Sequence, residues 1–117
     1  MKNYITAVLL FIWVTVSAQD SKSPLFQVDG ELINATYYHD NGEVSQKGTF
    51  NKDGVLVGFW TSFDAEGNKL SQGYYENGFK SGKWFFWSED TLKEVDFEDS
   101  KITNVIEWDG KSEVAVN

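Results

Sequence analysis

The sequence predicts an all-β fold, a single antiparallel β-meander of about seven short strands. Three observations carry that expectation. Turn signals recur about every 12 residues, at Asp29-Gly30, Asn41-Gly42, Asp53-Gly54, Glu66-Gly67 and Asn77-Gly78, with weaker ones at 88–91, Asp99-Ser100 and Asp109-Gly110. That step suits one short strand plus one tight turn, and Asn-Gly and Asp-Gly fit type I′ turns, which need φ > 0 at both central residues. A longer pattern also repeats: Gly58-Phe59-Trp60-Thr61-Ser62-Phe63 returns as Gly82-Lys83-Trp84-Phe85-Phe86-Trp87, while Gly42, Gly48 and Phe50 return 25 residues later as Gly67, Gly73 and Tyr75. Finally, no window past the N-terminal segment has the 3.6-residue periodicity of an amphipathic helix.

Taken in order, the chain opens on a segment read as a signal peptide, residues 1–18. Lys2 supplies a positive start, residues 5–16 are apolar but for threonines, and Val16-Ser17-Ala18 places small residues where signal peptidase reads. The apolar run falls short of the roughly 20 residues that span a bilayer, so the expectation is cleavage and export, to a periplasm or out of the cell, with no membrane span in the mature chain. No cysteine follows, which excludes a lipid-anchored lipoprotein. Residues 19–31, with the single proline Pro24, read as a flexible lead-in, and residues 32–117 as the β domain.

Within that domain the strands are expected at 32–39, 43–50, 56–63, 69–76, 83–87, 92–98 and 102–108. Connections this short make sequence neighbours sheet neighbours, hence the meander. In 43–50 one face is Glu43, Ser45, Lys47 and Thr49, all polar, and the other carries Val44, Gln46, Gly48 and Phe50. In 56–63, Val57, Phe59 and Phe63 share one face while Trp60 is on the other, and in 83–87 aromatic residues lie on both. A twisted, partly open sheet with an aromatic stripe on each face fits this better than a sandwich with one interior. Gly48 and Gly73 fall inside strands, where glycine lets an aromatic side chain lie across the backbone or accompanies a bulge. A worn third copy ends the array. Val95 and Phe97 stand for Gly73 and Tyr75, Asp99-Ser100 for Asn77-Gly78, Asn104 for Gly82 and Ile106 for Trp84.

The bulk composition bounds the function. The chain has 117 residues, room for one small domain, and a net charge of −8. An acidic protein of this kind has no phosphate-neutralising patch for nucleic acid and is repelled by anionic lipid. With no cysteine, it has neither disulfide staples nor thiolate metal ligands. The core must therefore come from apolar side chains, and 16 of the 19 aromatic residues lie beyond residue 18. Each can bury on the order of 150–250 Å².

Candidate chemistry is sparse. His39 is the only histidine and closes a strand beside the Asp40-Asn41-Gly42 turn. It has no cysteine or second histidine to join it, and base catalysis needs an orienting partner, so it reads as a surface residue. Glu94, Asp96 and Glu98 share one strand face, but the dense oxygen spacing of a calcium loop is absent; they read as a wet face whose like charge repels other strands. A pair of carboxylates for glycoside hydrolysis lacks a pocket-forming segment. The glycine doublets join strand to strand, with no helix N-terminus to face an anion. No catalytic residue, metal site or cofactor is assigned. The candidate binding residues are Trp60, Tyr74, Trp84, Phe85 and Trp87, which serve either as an aromatic platform for a partner or as core.

The segments Gly58–Phe63 with Gly67, and Gly73-Tyr74-Tyr75-Glu76-Asn77-Gly78 with Gly82-Lys83-Trp84-Phe85-Phe86-Trp87, resemble the MORN-repeat variant, whose pattern runs from a tyrosine and an asparagine-glycine to a glycine, a tryptophan, a further aromatic residue and a glycine turn. The resemblance spans 36–108 and departs from the pattern at Asn104, at Ile106 and in a two-residue shortening after Trp87. It implies stacked hairpins in an elongated twisted sheet and a non-catalytic scaffold that binds proteins or lipids; bacterial proteins of this variant are often labelled antitoxins. The function expected is an exported, non-enzymatic module holding another macromolecule, a protein foremost, through its sheet surface. The alternatives are an antitoxin or immunity protein, a carbohydrate-binding module, and a small cell-wall or glycan hydrolase.

Overall fold

The structure is a computed structural model and describes residues 22–109. The segment read as a signal peptide lies outside the described residues. Eight strands form one antiparallel sheet in sequence order, β1 Leu25–Asp29, β2 Leu32–Tyr38, β3 Val44–Asn51, β4 Leu56–Phe63, β5 Lys69–Glu76, β6 Phe79–Trp87, β7 Thr91–Glu98 and β8 Lys101–Asp109. No helix occurs among the described residues. The seven expected strands are present, with β6 beginning at Phe79, four residues earlier than expected, because Asn77-Gly78 turns so tightly that Glu76 pairs with Phe79. The eighth, β1, occupies 25–29, within the stretch read as lead-in, and pairs with β2 from Leu25↔Thr36 to Asp29↔Leu32. Only five residues long, it has too little alternation to stand out from its polar surroundings, although the Asp29-Gly30 turn that ends it was legible.

Residues paired across a ladder share a face, and neighbours along a strand alternate. The register therefore assigns each side chain to one of two faces. One carries a line of rings in edge-to-face contact: Phe50–Trp60 at 5.0 Å, Trp60–Tyr75 at 6.3 Å, Tyr75–Trp84 at 5.1 Å and Trp84–Phe97 at 6.1 Å. This stripe face holds the core, with Ala35, Trp60, Trp84 and Val95 the buried apolar residues.

How a single layer buries two tryptophans follows from the repeated glycines. Trp60 lies flat on Gly48 and Trp84 on Gly73; a Cβ at either glycine would stand about 2 Å from the indole (2.0 and 1.9 Å). Opposite each of these glycines the partner strand bulges. Lys47 pairs with Thr61 and Thr49 with Val57, so Gly48 faces the three residues 58–60; Gln72 pairs with Phe85 and Tyr74 with Ser81, so Gly73 faces 82–84. Gly58 and Gly82 open the bulges at φ 73° each, a conformation glycine adopts without steric cost. At each bulge the indole N–H donates to a carbonyl of the facing strand, Trp60 Nε1 to Thr49 O at 3.0 Å and Trp84 Nε1 to Tyr74 O at 3.1 Å. Trp60 and Trp84 thus have matching surroundings, as a repeat requires. Burying an indole without such a partner would leave its N–H unsatisfied, at about 1–3 kcal/mol.

The third unit keeps the hairpin and loses this device. β7 and β8 pair from Thr91↔Asp109 to Glu98↔Lys101, but between Asp96↔Asn104 and Phe97↔Ile102 the bulge adds one residue where the others add two. An odd insertion reverses the facing of everything beyond it. Val105 consequently pairs with Val95 on the stripe face, while Ile106 pairs with Glu94 on the reverse face and does not take the place of Trp84.

Consecutive hairpins are also stitched through their turns. Gly78 N donates to Leu56 O and Ser100 N to Lys80 O, both at 2.9 Å. Asn77 and Gly78 both have positive φ (51° and 85°), as do Asp99 and Ser100 (53° and 65°), which is the type I′ geometry.

Candidate functional site

The five candidate residues divide between the two faces. Trp60 and Trp84 are each 3% exposed and belong to the stripe-face core. Tyr74, Phe85 and Trp87 stand on the reverse face, where Tyr74 pairs with Phe59, Phe85 with Glu94 and Trp87 with Leu92. Tyr74 and Phe59 contact edge-to-face at 5.2 Å and are exposed by 42% and 64%. Phe79, paired with Glu76 and 52% exposed, lies on the same face. Phe85 and Trp87 stack at 5.9 Å and are half-buried. The five do not make one platform, because successive strand residues point to opposite sides. Phe59 and Phe79 went unselected in the sequence, although Phe59 stands one residue before the tryptophan of a Gly-x-Trp unit, the position that faces away from the indole.

A cleft of about 770 Å³ adjoins Trp87, lined by Asp64, Asn68, Lys69, Leu70, Trp87, Ser88 and Glu89. Its origin can be traced residue by residue. The 39–43 and 64–68 turns share a hydrogen-bond pattern, His39 N to Glu43 O and Gly42 N to His39 O in one, Asp64 N to Asn68 O and Gly67 N to Asp64 O in the other. The first is stapled to the second, because His39 Nε2 donates to Phe63 O and Asn41 Nδ2 to Ala65 O, both at 2.9 Å. In the second turn Asp64 and Glu66 hold the positions of His39 and Asn41, and a carboxylate has no proton to give to a carbonyl. Asp64 instead accepts from within its own turn, from Glu66 N and Asn68 N at Oδ1 and from Asn68 Nδ2 at Oδ2. These bonds, the Asn68 N–H foremost, hold its carboxyl below the usual aspartate range. The next turn, 88–91, is shorter, closing through Ser88 N to Thr91 O at 3.0 Å. Without donors to bridge them, the two turns leave the gap in which Lys69 Nζ sits 5.9 Å from the Trp87 ring centre.

Two of the three β7 carboxylates, Glu94 and Asp96, are occupied. Lys83 Nζ lies 3.5 Å from Glu94 Oε1 and 3.2 Å from Asp96 Oδ1, and the Trp108 indole N–H donates to Glu94 Oε2. The hydrogen bond to Asp96, aided by both negative charges, raises the Lys83 pKa. Among the described residues no group of three or more His, Cys, Asp or Glu side chains is arranged to hold a metal ion. His39, read as a surface residue, is a staple between turns. The Tyr75 hydroxyl pKa is pushed up by burial in the ring stripe. No helix among the described residues is long and apolar enough to cross a membrane.

In comparisons with known proteins, no protein-family profile, curated protein or solved structure matches this chain.

Proposed function

We propose that the chain is a non-catalytic, exported repeat module of the MORN-variant kind that holds a protein partner against the reverse face of its sheet. The observation that carries this reading is the exposure on that face of Phe59, Tyr74 and Phe79, at 64%, 42% and 52%. The core does not need these rings, since the indoles are buried on the other side. Exposed aromatic groups of this kind mark interaction surfaces, and aromatic residues dominate binding energy at such surfaces. The test is cross-linking in cells followed by recovery of the protein, comparing the native chain with the double variant Phe59→Ser, Tyr74→Ser. Loss of a specific partner from a variant that still melts cooperatively supports the reading. Equal recovery of the same partner from both proteins refutes it, and a cytoplasmic location on fractionation refutes the export component.

The cleft beside Trp87 favours a second reading, a carbohydrate site. A ring face flanked by amide, hydroxyl, ammonium and carboxylate groups matches the mixed apolar and polar surface of a sugar. Glycan binding that disappears in Trp87→Ala, with folding retained, would support it. Trp84 cannot report on this, being part of the core.

A further inference from the structure

The two edges of the sheet fit each other. β1 and β8 are the terminal strands, and both carry exposed apolar side chains: Leu25 46%, Phe26 53% and Val28 78% on β1, and Ile102 61%, Val105 49% and Ile106 36% on β8. Sheet edges are blunted by inward charges, proline or bulges that turn the edge away; β8 carries one such bulge, at Thr103, yet six of the eleven large apolar side chains exposed among the described residues lie on the two edge strands.

We propose that the partner for this edge surface is a second copy of the same chain, added head to tail so that β8 of one copy pairs antiparallel with β1 of the next. The direction is set by the fold, since in an eight-stranded meander the first and last strands run oppositely, so β8 followed by a new β1 continues the existing alternation. The register is set by chemistry. β1 ends at Asp29 beside the turn to Leu32, and β8 begins at Lys101 beside the turn from Glu98, at the same end of the sheet. Antiparallel addition therefore brings Asp29 of one copy against Lys101 of the other, opposite charges in register. From there Val28 meets Ile102 and Phe26 meets Val105 on the stripe face, while Leu25 meets Ile106 on the reverse face. The single-residue bulge at Thr103 keeps these apolar residues in phase. An isologous pairing of two β1 strands would instead set each Leu25 against Asp29. Pairing β8 with β1 covers both apolar edges, whereas an isologous pairing of either strand with itself leaves the other edge open; the neighbour is therefore heterologous, and such contacts extend into open arrays when the rotation does not close. The main-chain bonding is β-strand addition to an exposed edge. This inference concerns the sheet edges and stands independently of what the reverse face binds.

Sedimentation velocity tests it on the protein recovered from cells expressing the whole chain. The expected result is a weight-average mass that climbs with concentration past that of a dimer. Val28→Lys blocks one edge and Val105→Lys, on the last strand, blocks the other. Each variant alone stays monomeric, and the two mixed form a one-to-one dimer and nothing longer, because each retains the edge that the other has lost. Both substitutions are at exposed positions, and thermal melting checks that the variants fold. Asp29→Lys weakens association about fivefold, and adding Lys101→Asp restores it, within the range of exposed ion pairs. A chain that is monomeric at every concentration overturns the proposal, as does a closed dimer that the mixing leaves unchanged. Association that appears only after removal of residues 111–117 identifies the C-terminal tail as the occupant of the edge, and overturns it as well.

Discussion

The two central copies and the C-terminal copy share one pattern yet bury different things. In β3–β6 a glycine in one strand faces a glycine-led bulge in the next, and an indole closes over the backbone with 3% of its surface exposed. In β7–β8 the glycine is Val95, the bulge is one residue smaller, and the residue that replaces the indole, Ile106, is 36% exposed on the wrong face. The difference teaches that the motif is a three-part lock. Glycine on the flat strand removes the Cβ that would strike the ring, glycine at the bulge supplies positive φ, and tryptophan both fills the space and returns a hydrogen bond. Replacing all three parts preserves the hairpin and abandons the buried ring.

Substituting the keystone should break the comparison most visibly. Trp84→Ala should destabilise the protein by about 3–5 kcal/mol, as for large aromatic truncations in a core, whereas Ile106→Ala, at a partly exposed position on the edge strand, should cost about 1 kcal/mol. Urea unfolding followed by circular dichroism reads both; equal costs would show that the third copy is locked in the same way. Next comes Gly73→Ala, whose added methyl must displace the Trp84 ring. A loss of about 1–3 kcal/mol is expected from overpacking, with indole emission shifted toward that of a solvated ring, and unchanged emission would contradict the close approach.

Hydrogen exchange sharpens the same contrast. In the monomeric Val105→Lys variant, amides of β4 and β5, paired on both sides, should be protected to nearly the global unfolding energy, and those on the outer edge of β8 should exchange fastest. Uniform protection across β3–β8 would erase the distinction. The smallest effects are those of pH. Lys83, its pKa raised above 10.5 by Asp96 and Glu94, contributes stability that is present below pH 10.5 and lost as pH rises through the raised value. Asp64 is lowered from 3.8, so its contribution is present above that pH and lost as pH falls through the lowered value. Melting temperatures of Lys83→Met and of Asp64→Ala should therefore converge on the native value at the alkaline and acid ends respectively. Both groups are solvent-exposed, and screening keeps the differences small.

Much of the fold was legible because its information is local. Turn dipeptides every dozen residues mark strand ends, and Gly48 and Gly73 inside strands signal an aromatic group across the backbone or a bulge, both of which occur there. β1 was missed because five residues give almost no period to read, and β6 was shortened because a two-residue turn lets pairing begin at Phe79. The candidate site was less legible. Trp60, Trp84, Tyr74, Phe85 and Trp87 are alike in composition, and burial separates them only once the register assigns faces. The cleft beside Trp87 depends on His39 and Asn41 being replaced by Asp64 and Glu66 in a turn 25 residues on, a signal present in the repeat alignment but meaningful only as a pair of missing donors.

What the chain's own residues determined is the meander itself, since short connections and glycine-bearing turns leave neighbouring strands nowhere else to pair. Which rings are core and which are surface, and that the last copy turns its isoleucine outward, was decided by the tertiary structure. The physical reason is parity. One residue more or fewer in a bulge turns every side chain beyond it to the other side of the sheet, and that count is set by how two strands settle against each other.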